Sequence, residues 1–309
     1  MLPPMTPIDR ALVIGAGFIG TQVCAALVER GIACRVMTRS PPDDERLGRL
    51  EGAELVVADA VVRPALAAAV EGVDHVFYCA GGLMPAESNL DPAADVALAL
   101  PPVLNLLETL RSRPGTALTF ISSGGTVYGA PVSIPVTEDH PTDPLTSYGI
   151  TKLAAEKYVL MYSRLYGLRA RLLRCANAYG PRQPPARGQG FIAAALHRIF
   201  HGEPIVVFGD GLNVRDYVFV ADIADAMIEL ALLDGGPPVV NVGTGDGVSL
   251  LDLVALIRRV TGRDAVVDHR PDRGFDVREN VLDNSRLRAL VNPSFTTLED
   301  GLAATWAAR

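Results

Sequence analysis

Tyr148 and Lys152 are the residues whose types and spacing most directly suggest chemistry, because they lie four positions apart. On a helix, this spacing places both side chains on one face, one turn apart. A free tyrosine has a pKa of about 10 and is a poor base at neutral pH, but a nearby ammonium group stabilises the phenolate. The pair could therefore act as a general base toward a sugar or alcohol hydroxyl. The same spacing also occurs by chance on surface helices, so the prediction depends on the rest of the chain.

The composition limits the class of protein to which this pair could belong. The chain has 309 residues, enough for one large α/β unit or for two lobes that share a core. Its net charge of −7 at pH 7 argues against a surface that binds nucleic acid. Residues 1–10 lack the apolar segment of a signal peptide, and no apolar run is expected to span a membrane. We therefore expect a cytoplasmic protein.

Cysteine and histidine positions give no indication of a metal site. The four cysteines, Cys24, Cys34, Cys79 and Cys175, are scattered and fit neither a zinc-ligand spacing nor a disulfide framework. The five histidines are also dispersed. We expect buried, reduced thiols and no bound metal.

The sequence GAGFIG at residues 15–20 is a second candidate for function. Residues 11–14 are predicted to form a short buried strand, and residues 21–30 have helical periodicity. A strand, Gly-x-Gly-x-x-Gly and a helix form the context of a dinucleotide-binding turn, where the backbone approaches a pyrophosphate and the helix N-terminus supplies amides. A purely structural glycine turn is the weaker interpretation in this context.

The end of the second predicted strand, residues 33–37, bears on the choice of cofactor. A carboxylate there would accept hydrogen bonds from the adenine ribose and select NAD. Thr38, Arg39 and Ser40 follow the strand instead, and an arginine with two hydroxyls suits a 2′-phosphate. The sequence thus favours NADP(H), although Arg39 stacked on the adenine would be compatible with either cofactor.

Strands and helices alternate through the first half of the chain. Further strands are predicted at residues 55–58, 75–80 and 117–121, separated by helical segments. This order predicts right-handed β-α-β units and a parallel sheet, with ligands at the carboxyl ends of its strands. Pro101 and Pro102 are expected to break or kink the helical segment 91–110.

The predicted fold class is α/β, a Rossmann-type doubly wound parallel sheet with a smaller C-terminal α/β substrate-binding lobe. We expect residues 1–176 to form the dinucleotide-binding domain, with residues 214–244 returning to it. Residues 177–213 and 245–309 would form the lobe. A loop rich in Pro, Gly and Arg at residues 183–190 is expected to close over the substrate.

Several motifs occur in an order that carries a family resemblance. The glycine turn is followed by SSGGTVYG at 122–129, the Tyr148 and Lys152 pair, RCANAYGP at 174–181, GDG at 209–211, RDYVFVAD at 215–222 and RPDR at 270–273. Over essentially its whole length, the chain resembles the extended short-chain dehydrogenases of the nucleotide-sugar epimerase/dehydratase family. Within that family it is similar to the UDP-glucose 4-epimerases.

The resemblance implies a role for each matching residue. Tyr148 would be the catalytic base, and Lys152 would bind the nicotinamide ribose. Asn177 would contact the diphosphate of the substrate, and Arg215 and Arg273 would bracket it, since a planar guanidinium suits phosphate. Together with the strand ends, the resemblance implies cofactor contacts at Gly15, Gly17, Phe18, Ile19, Gly20, Thr38, Arg39, Ser40, Asp59, Ala60, Cys79, Ala80, Gly81, Ser122, Tyr148 and Lys152.

One position departs from the family pattern. The family usually has Ser or Thr four residues before the tyrosine of Val-Tyr-Gly, where it hydrogen-bonds the reacting hydroxyl, and this chain has Gly124. We expect Ser123 or Thr126 to take over that contact, or a water molecule to do so.

The function that the resemblance implies is a nucleotide-sugar 4-epimerase, which transfers a hydride reversibly at sugar C4 through a 4-keto intermediate. An NADPH-dependent 4-ketoreductase of a nucleotide 4-keto-6-deoxyhexose is the alternative. A catalytically inactive, cofactor-binding regulatory protein is a third, supported by Gly124 alone. The expected partners are NAD(P), a nucleotide-diphosphate sugar and a second copy of the chain, with no nucleic acid and no membrane.

Overall fold

The computed structural model describes residues 4–185 and 190–309. Residues 186–189 of the loop that is expected to close over the substrate therefore lie outside the described residues. The strands, numbered in chain order, are β1 (Arg10–Ile14), β2 (Ala33–Thr38), β3 (Glu54–Val57), β4 (His75–Tyr78), β5 (Ala117–Ser123), β6 (Ala170–Cys175), β7 (Asn177–Tyr179), β8 (Ile205–Phe208), β9 (Val214–Phe219), β10 (Val239–Val242), β11 (Gly247–Ser249), β12 (Val267–Arg270) and β13 (Glu279–Asn280).

The largest sheet has seven strands in the order β10-β6-β5-β4-β1-β2-β3, and every neighbouring pair is parallel. The chain first runs outward from β1 through β2 and β3. It then crosses back to β4 and continues through β5, β6 and β10 on the other side. The direction thus reverses between β1 and β4, where a ligand crevice is expected in such sheets. The predicted Rossmann-type fold is confirmed.

Helices cover both faces of this sheet. They are α1 (Phe18–Glu29), α2 (Asp44–Arg49), α3 (Arg63–Ala69), α4 (Pro85–Ser88), α5 (Pro92–Arg111), α6 (Ser147–Tyr166), α7 (Phe191–His201), α8 (Val220–Ala231), α9 (Leu250–Thr261), α10 (Ser285–Leu290) and α11 (Leu298–Ala307). Successive strand residues point to opposite faces. Val13 of β1 accordingly packs in the core beneath α1 and α8, whereas Leu12 packs in the core beneath α3, α5 and α6.

A smaller unit is built from short strands and the C-terminal helices. Strand β9 pairs with β7, β11 and β13, and β8 pairs with β12. A third core lies among α7, α9 and α11. Helix α8 packs on α1, and strand β10 pairs with β6 of the larger sheet. Strand β9, which begins the segment 214–244 that is expected to return, pairs with strands of the smaller unit.

Helix α5 bears on two expectations from the sequence, the break or kink at its prolines and the absence of a membrane span. It is unbroken from Pro92 to Arg111 although it contains Pro101 and Pro102, and its packing against α3 and α6 offsets the backbone bonds that the prolines remove. Among the described residues, it is the one helix whose length and mean hydropathy of 1.3 would suffice to cross a membrane. That is weak evidence for a span, because a core helix passes the same test and α5 buries one face against the sheet.

Candidate active site

Tyr148 and Lys152 lie in the first two turns of α6, beside the carboxyl end of β5. Thr146 begins the helix as its N-cap, where its hydroxyl accepts a hydrogen bond from the Gly149 amide at 3.2 Å. Lys152 is buried, and its Nζ donates to the Ile121 carbonyl at 3.0 Å. The same Nζ lies 5.9 Å from the centre of the Tyr148 ring. The predicted pair therefore shares one face of a helix.

The surroundings shift the ionisation of both side chains. Burial raises the pKa of Tyr148 to about 12, and the neighbouring Ser123 hydroxyl acts in the opposite direction. Burial lowers the pKa of Lys152 to about 8, while nearby acidic groups, including Cys79, raise it. With a pKa of about 12, the phenol is protonated at neutral pH. A base at this position needs further positive charge, which a bound nicotinamide would contribute.

Two hydroxyls lie near the first turn of α6, that of Ser123 at the end of β5 and that of Thr126 in the loop that follows. Ser123 is near enough to lower the tyrosine pKa. Thr126 packs against the first turn of α6, since a Cβ on Gly149 would lie 3.3 Å from the Thr126 Cβ. Among the residues that the structure describes, the Thr126 Oγ1 atom is buried and has no hydrogen-bond partner.

Residues near the C-terminal end of the chain pack tightly against Gly124. A Cβ there would lie 2.6 Å from Leu282 Cδ1 and 3.0 Å from the Arg174 carbonyl oxygen. Asn280 Nδ2 donates to the Gly124 carbonyl at 3.2 Å. A serine or threonine at position 124 would therefore require Leu282 to move. Neither Asn280 nor Leu282 was identified from the sequence, where both follow the last recognised motif.

The glycine turn has the geometry of a dinucleotide cradle. Gly15 has φ of +102°, and a Cβ there would lie 2.7 Å from the Ala80 amide nitrogen, so the turn touches the end of β4. A Cβ on Gly20 would overlap the Gly15 carbonyl oxygen. Helix α1 begins at Gly17 with no side-chain cap and no acidic residue in its first turn. The first amides of a helix have no partner within the helix, so this N-terminus suits a pyrophosphate.

Other predicted cofactor residues surround this turn. Thr38, at the end of β2, uses its hydroxyl to donate to the Ser40 carbonyl at 3.2 Å, and Arg39 is exposed. The Asp59 carboxylate accepts from the Val61 amide at 3.0 Å, which leaves its second oxygen for a ligand. The remaining predicted positions occupy the start of α1 and the carboxyl ends of β3 and β4, namely Phe18, Ile19, Ala60, Cys79 and Gly81.

Ser122, one of the predicted cofactor positions, directs its hydroxyl into the protein interior. It is buried, and its Oγ donates to Glu156 Oε1 at 2.5 Å. Glu156 also forms a buried ion pair with Arg174, with Arg174 Nη2 and Glu156 Oε2 2.7 Å apart. This contact commits the Ser122 hydroxyl to the support of the loop, and only its backbone remains for a cofactor. Glu156 follows Lys152 by one turn, a spacing that could have indicated it.

The three predicted diphosphate residues, Asn177, Arg215 and Arg273, lie in the smaller unit. Arg273 lies 4.5 Å above the Phe208 ring and forms two hydrogen bonds with Asp276, at 2.7 and 2.9 Å. Burial lowers the pKa of Arg215, the Tyr217 and Asp276 side chains raise it, and the positive charge of Arg273 also lowers it. Asn177 Nδ2 donates to the backbone carbonyl of residue 216 at 3.0 Å. Guanidinium groups of this kind suit a diphosphate.

Comparison with known proteins finds similarity over nearly the whole chain. The family model described as "NAD dependent epimerase/dehydratase family" matches residues 11–243. The UDP-glucose 4-epimerase of Mycolicibacterium smegmatis is 33% identical over 308 residues, which cover 96% of this chain and 97% of that protein.

Two solved structures extend this similarity to the fold. The UDP-glucose 4-epimerase of Thermotoga maritima, crystallised with UDP-glucose, has a TM-score of 0.91 at 33% identity and covers 97% of this chain and 98% of its own. The UDP-glucose 4-epimerase of Thermus thermophilus, in complex with NAD, has a TM-score of 0.88 at 31% identity with the same coverage. Both matches include the smaller unit as well as the larger sheet.

Proposed function

The chain belongs to the NAD-dependent epimerase/dehydratase family, and we propose that within it the protein is a nucleotide-sugar 4-epimerase. The observation that carries this proposal is the position of Tyr148 and Lys152 on one face of α6, next to Ser123 at the carboxyl end of β5. The glycine cradle lies at the same edge of the sheet. A base, a hydroxyl and a dinucleotide cradle are the parts that hydride transfer at a sugar carbon needs.

Each side chain of this group has a defined task in the proposed reaction. Tyr148, as phenolate, removes the proton of the sugar 4-hydroxyl, and Lys152 stabilises the phenolate by its charge. Ser123 and Thr126 hold the 4-oxygen by hydrogen bonds. A bound nicotinamide would take the hydride from C4 and return it. In the proposed cycle, the 4-keto sugar rotates before the hydride returns, so the configuration at C4 is inverted.

Substrate binding is assigned to the side chains of the smaller unit. Arg215 and Arg273 neutralise the diphosphate, and Asn177 adds an amide contact to it. The Thermotoga maritima relative is described with UDP-glucose. We therefore propose UDP-glucose, or a closely related UDP-hexose, as the substrate.

The cofactor is proposed to be NAD(P). The Thermus thermophilus relative is described with NAD. In this chain, the end of β2 carries Thr38, Arg39 and Ser40 and no carboxylate. Because an arginine with hydroxyls favours a 2′-phosphate, we propose that this chain accepts NADP(H) more readily than a protein with Asp at position 38 would.

A homodimer in the cytoplasm remains the proposed state of the protein. Helix α6 exposes an apolar stripe at Ile150, Tyr158, Met161 and Leu165. These residues recur at helical spacing on the side away from the sheet, and such a stripe suits burial against a second copy. Light scattering of the wild type and of Met161→Glu with Leu165→Glu tests this proposal, with dimer and monomer as the respective results.

The function is tested by incubating the protein with UDP-glucose and a catalytic amount of NAD or NADP. The expected result is an equilibrium mixture of UDP-glucose and its C4 epimer with no net change in nicotinamide absorbance, because the cofactor is regenerated in each turnover. Stoichiometric NADPH consumption with a 4-keto-6-deoxy nucleotide sugar, and no epimerisation of any 4-hydroxy sugar, would establish the ketoreductase instead. Mass spectrometry of the nucleotide released from denatured protein identifies the resident cofactor.

A further inference from the structure

Asp95 is a fully buried carboxylate on α5 that the proposed reaction does not use. Its Oδ2 accepts hydrogen bonds from Ser147 Oγ at 2.9 Å and from Thr151 Oγ1 at 3.1 Å. Its Oδ1 accepts from the Leu83 amide at 3.3 Å. Within the described residues, no lysine or arginine pairs with it, so three neutral donors alone satisfy its charge.

The donors connect the two halves of the active site. Ser147 and Thr151 immediately precede Tyr148 and Lys152, so on α6 they form the neighbouring face at the same spacing. Leu83 belongs to the loop after β4, whose start touches the glycine cradle. That loop passes close to the carboxylate, because a Cβ on Gly82 would lie 2.8 Å from Asp95 Oδ1. The Asp95 side chain thus joins the loop after β4, here called the cofactor loop, to helix α6, which carries Tyr148.

The segment between this loop and α5 also holds the first amides of α6. The Ser147 amide donates to Asn89 Oδ1 at 2.9 Å, and the Tyr148 amide donates to Ser88 Oγ at 2.9 Å. Side chains outside the helix therefore satisfy two amides that a helix leaves free at its N-terminus. The position of Tyr148 is thus set by residues 83–95 as well as by the helix itself.

We propose that Asp95 is a positioning residue, which joins Ser147 and Thr151 to the Leu83 amide and so fixes Tyr148 and Lys152 relative to the cofactor loop. The proposal rests on the proposed function for its kinetic consequence. Its geometric basis is independent of which nucleotide sugar is converted.

The negative charge of Asp95 also acts on the pKa values of Tyr148 and Lys152, which a purely structural link would not do. Burial is the largest influence on both pKa values, and the negative charge of Asp95 is a smaller one that raises the pKa of Tyr148 and of Lys152. The other ionisable groups that act on the pair are Cys175, which affects both, and Cys79 and Glu156, which affect Lys152. Removal of the charge should move both titrations to lower pH.

The experiment compares Asp95→Asn with Glu108→Gln in the full chain with its cofactor. Each substitution replaces a carboxylate of α5 by the amide, and each alters a bond to a hydroxyl of α6, because Glu108 accepts from Tyr162. We expect Asp95→Asn to lower kcat about 10- to 100-fold, since a displacement of about 1 Å in a catalytic group can cost that much, with KM within about twofold. Glu108→Gln should leave both constants unchanged.

The pH profile separates positioning from simple structural support. For Asp95→Asn, we expect the acid and alkaline limbs of kcat to move to lower pH, because both groups titrate earlier. A fall in kcat with unmoved limbs, or a wild-type kcat, would overturn the proposal. If Asp95→Asn does not fold, Ser147→Ala with Thr151→Val removes two donors and retains the charge. That variant should lower kcat at constant KM, and an unchanged kcat would also overturn the proposal.

A readout without turnover separates this proposal from the proposed function. The phenolate absorbance of each protein, compared with that of its Tyr148→Phe derivative, reports the titration of Tyr148 alone. Asp95→Asn should titrate at lower pH than the wild type and Glu108→Gln should not, whether or not UDP-glucose is converted. If the titration of Asp95→Asn coincides with that of the wild type, Asp95 does not act on Tyr148.

Discussion

The Leu282 side chain occupies the space that a side chain at position 124 would need. Its Cδ1 atom would lie 2.6 Å from a Cβ on Gly124. The glycine that departs from the family pattern is therefore matched by a residue far along the chain. Because packing accounts for Gly124, its presence is a weak argument for a protein that has lost its chemistry.

The contact between Gly124 and Leu282 predicts a compensating pair of substitutions. Gly124→Ser should overpack the loop and lower the free energy of unfolding by about 1–3 kcal/mol. Leu282→Ala alone should cost about 2–5 kcal/mol through the cavity it leaves. In the double variant, the serine fills part of that cavity, so the combined loss should fall short of the sum by about 0.5–3 kcal/mol. Chemical denaturation of the four proteins measures the coupling, and strictly additive losses would show that the two positions do not compete for space.

The proposed roles of Arg215 and Arg273 predict that substitution of either arginine weakens substrate binding. Arg215→Lys or Arg273→Lys keeps the charge but loses the planar fork, so KM for a UDP-sugar should rise about 10- to 100-fold with a small change in kcat. Arg278→Lys is the matched control, because Arg278 is exposed and pairs with Asp210 at 2.8 Å. Titration calorimetry with UDP should show the same ranking. Equal affinity in all four proteins would remove both arginines from the diphosphate site.

The burial of Lys152 predicts that its replacement lowers activity but raises the stability of the fold. The pKa of Lys152 is about 8 in the folded protein, below the value of about 10.4 for a free lysine, so the unfolded chain binds more protons between these values and the stability of the fold rises with pH there. Lys152→Met should therefore abolish activity yet raise Tm at neutral pH, and the gain should shrink from pH ~8 to pH ~10. Lys157→Met, an exposed lysine of the same helix, is the control. A gain in Tm that is independent of pH would contradict the burial of a charged Lys152.

The end of β2 predicts a change in cofactor preference. Thr38→Asp with Arg39→Ala places a carboxylate against the adenine ribose and removes the cation, so the ratio of affinities should shift toward NAD. Dissociation constants for both cofactors, measured on the wild type and the double variant, provide the test. If the ratio does not change, this strand end does not select the cofactor.

The larger sheet was predictable from the sequence because its signals are local. Apolar strands, helical periodicity and the glycine turn follow one another within short stretches, and the strands at 33–37 and 117–121 reappear with only their ends extended. The smaller unit was less predictable. Strand β9 was recognised in the sequence only as part of the motif RDYVFVAD. Its pairing could not be predicted, because its partners β7, β11 and β13 have two or three residues each and lie far apart in the chain.

The site was predictable where a residue belongs to a motif and not where it is fixed by distant packing. The face shared by Tyr148 and Lys152 follows from their spacing. The Asn280 bond to the Gly124 carbonyl joins positions 156 residues apart, and nothing near either position indicates it. The Ser122 hydroxyl likewise turns toward Glu156 because of a buried ion pair that the pattern of strand ends does not reveal.

In the proposed reaction, a hydride leaves C4 of the sugar and returns to the same molecule on the other face. UDP-glucose that carries deuterium at C4 tests it most directly, with NMR and mass spectrometry of the product. We predict a C4 epimer that retains the deuterium at C4 and no label in solvent. Tyr148→Phe should form this product about 10²- to 10⁴-fold more slowly while it binds UDP-glucose with nearly unchanged affinity. Loss of the label to solvent or to released cofactor, or wild-type turnover by Tyr148→Phe, would contradict the account.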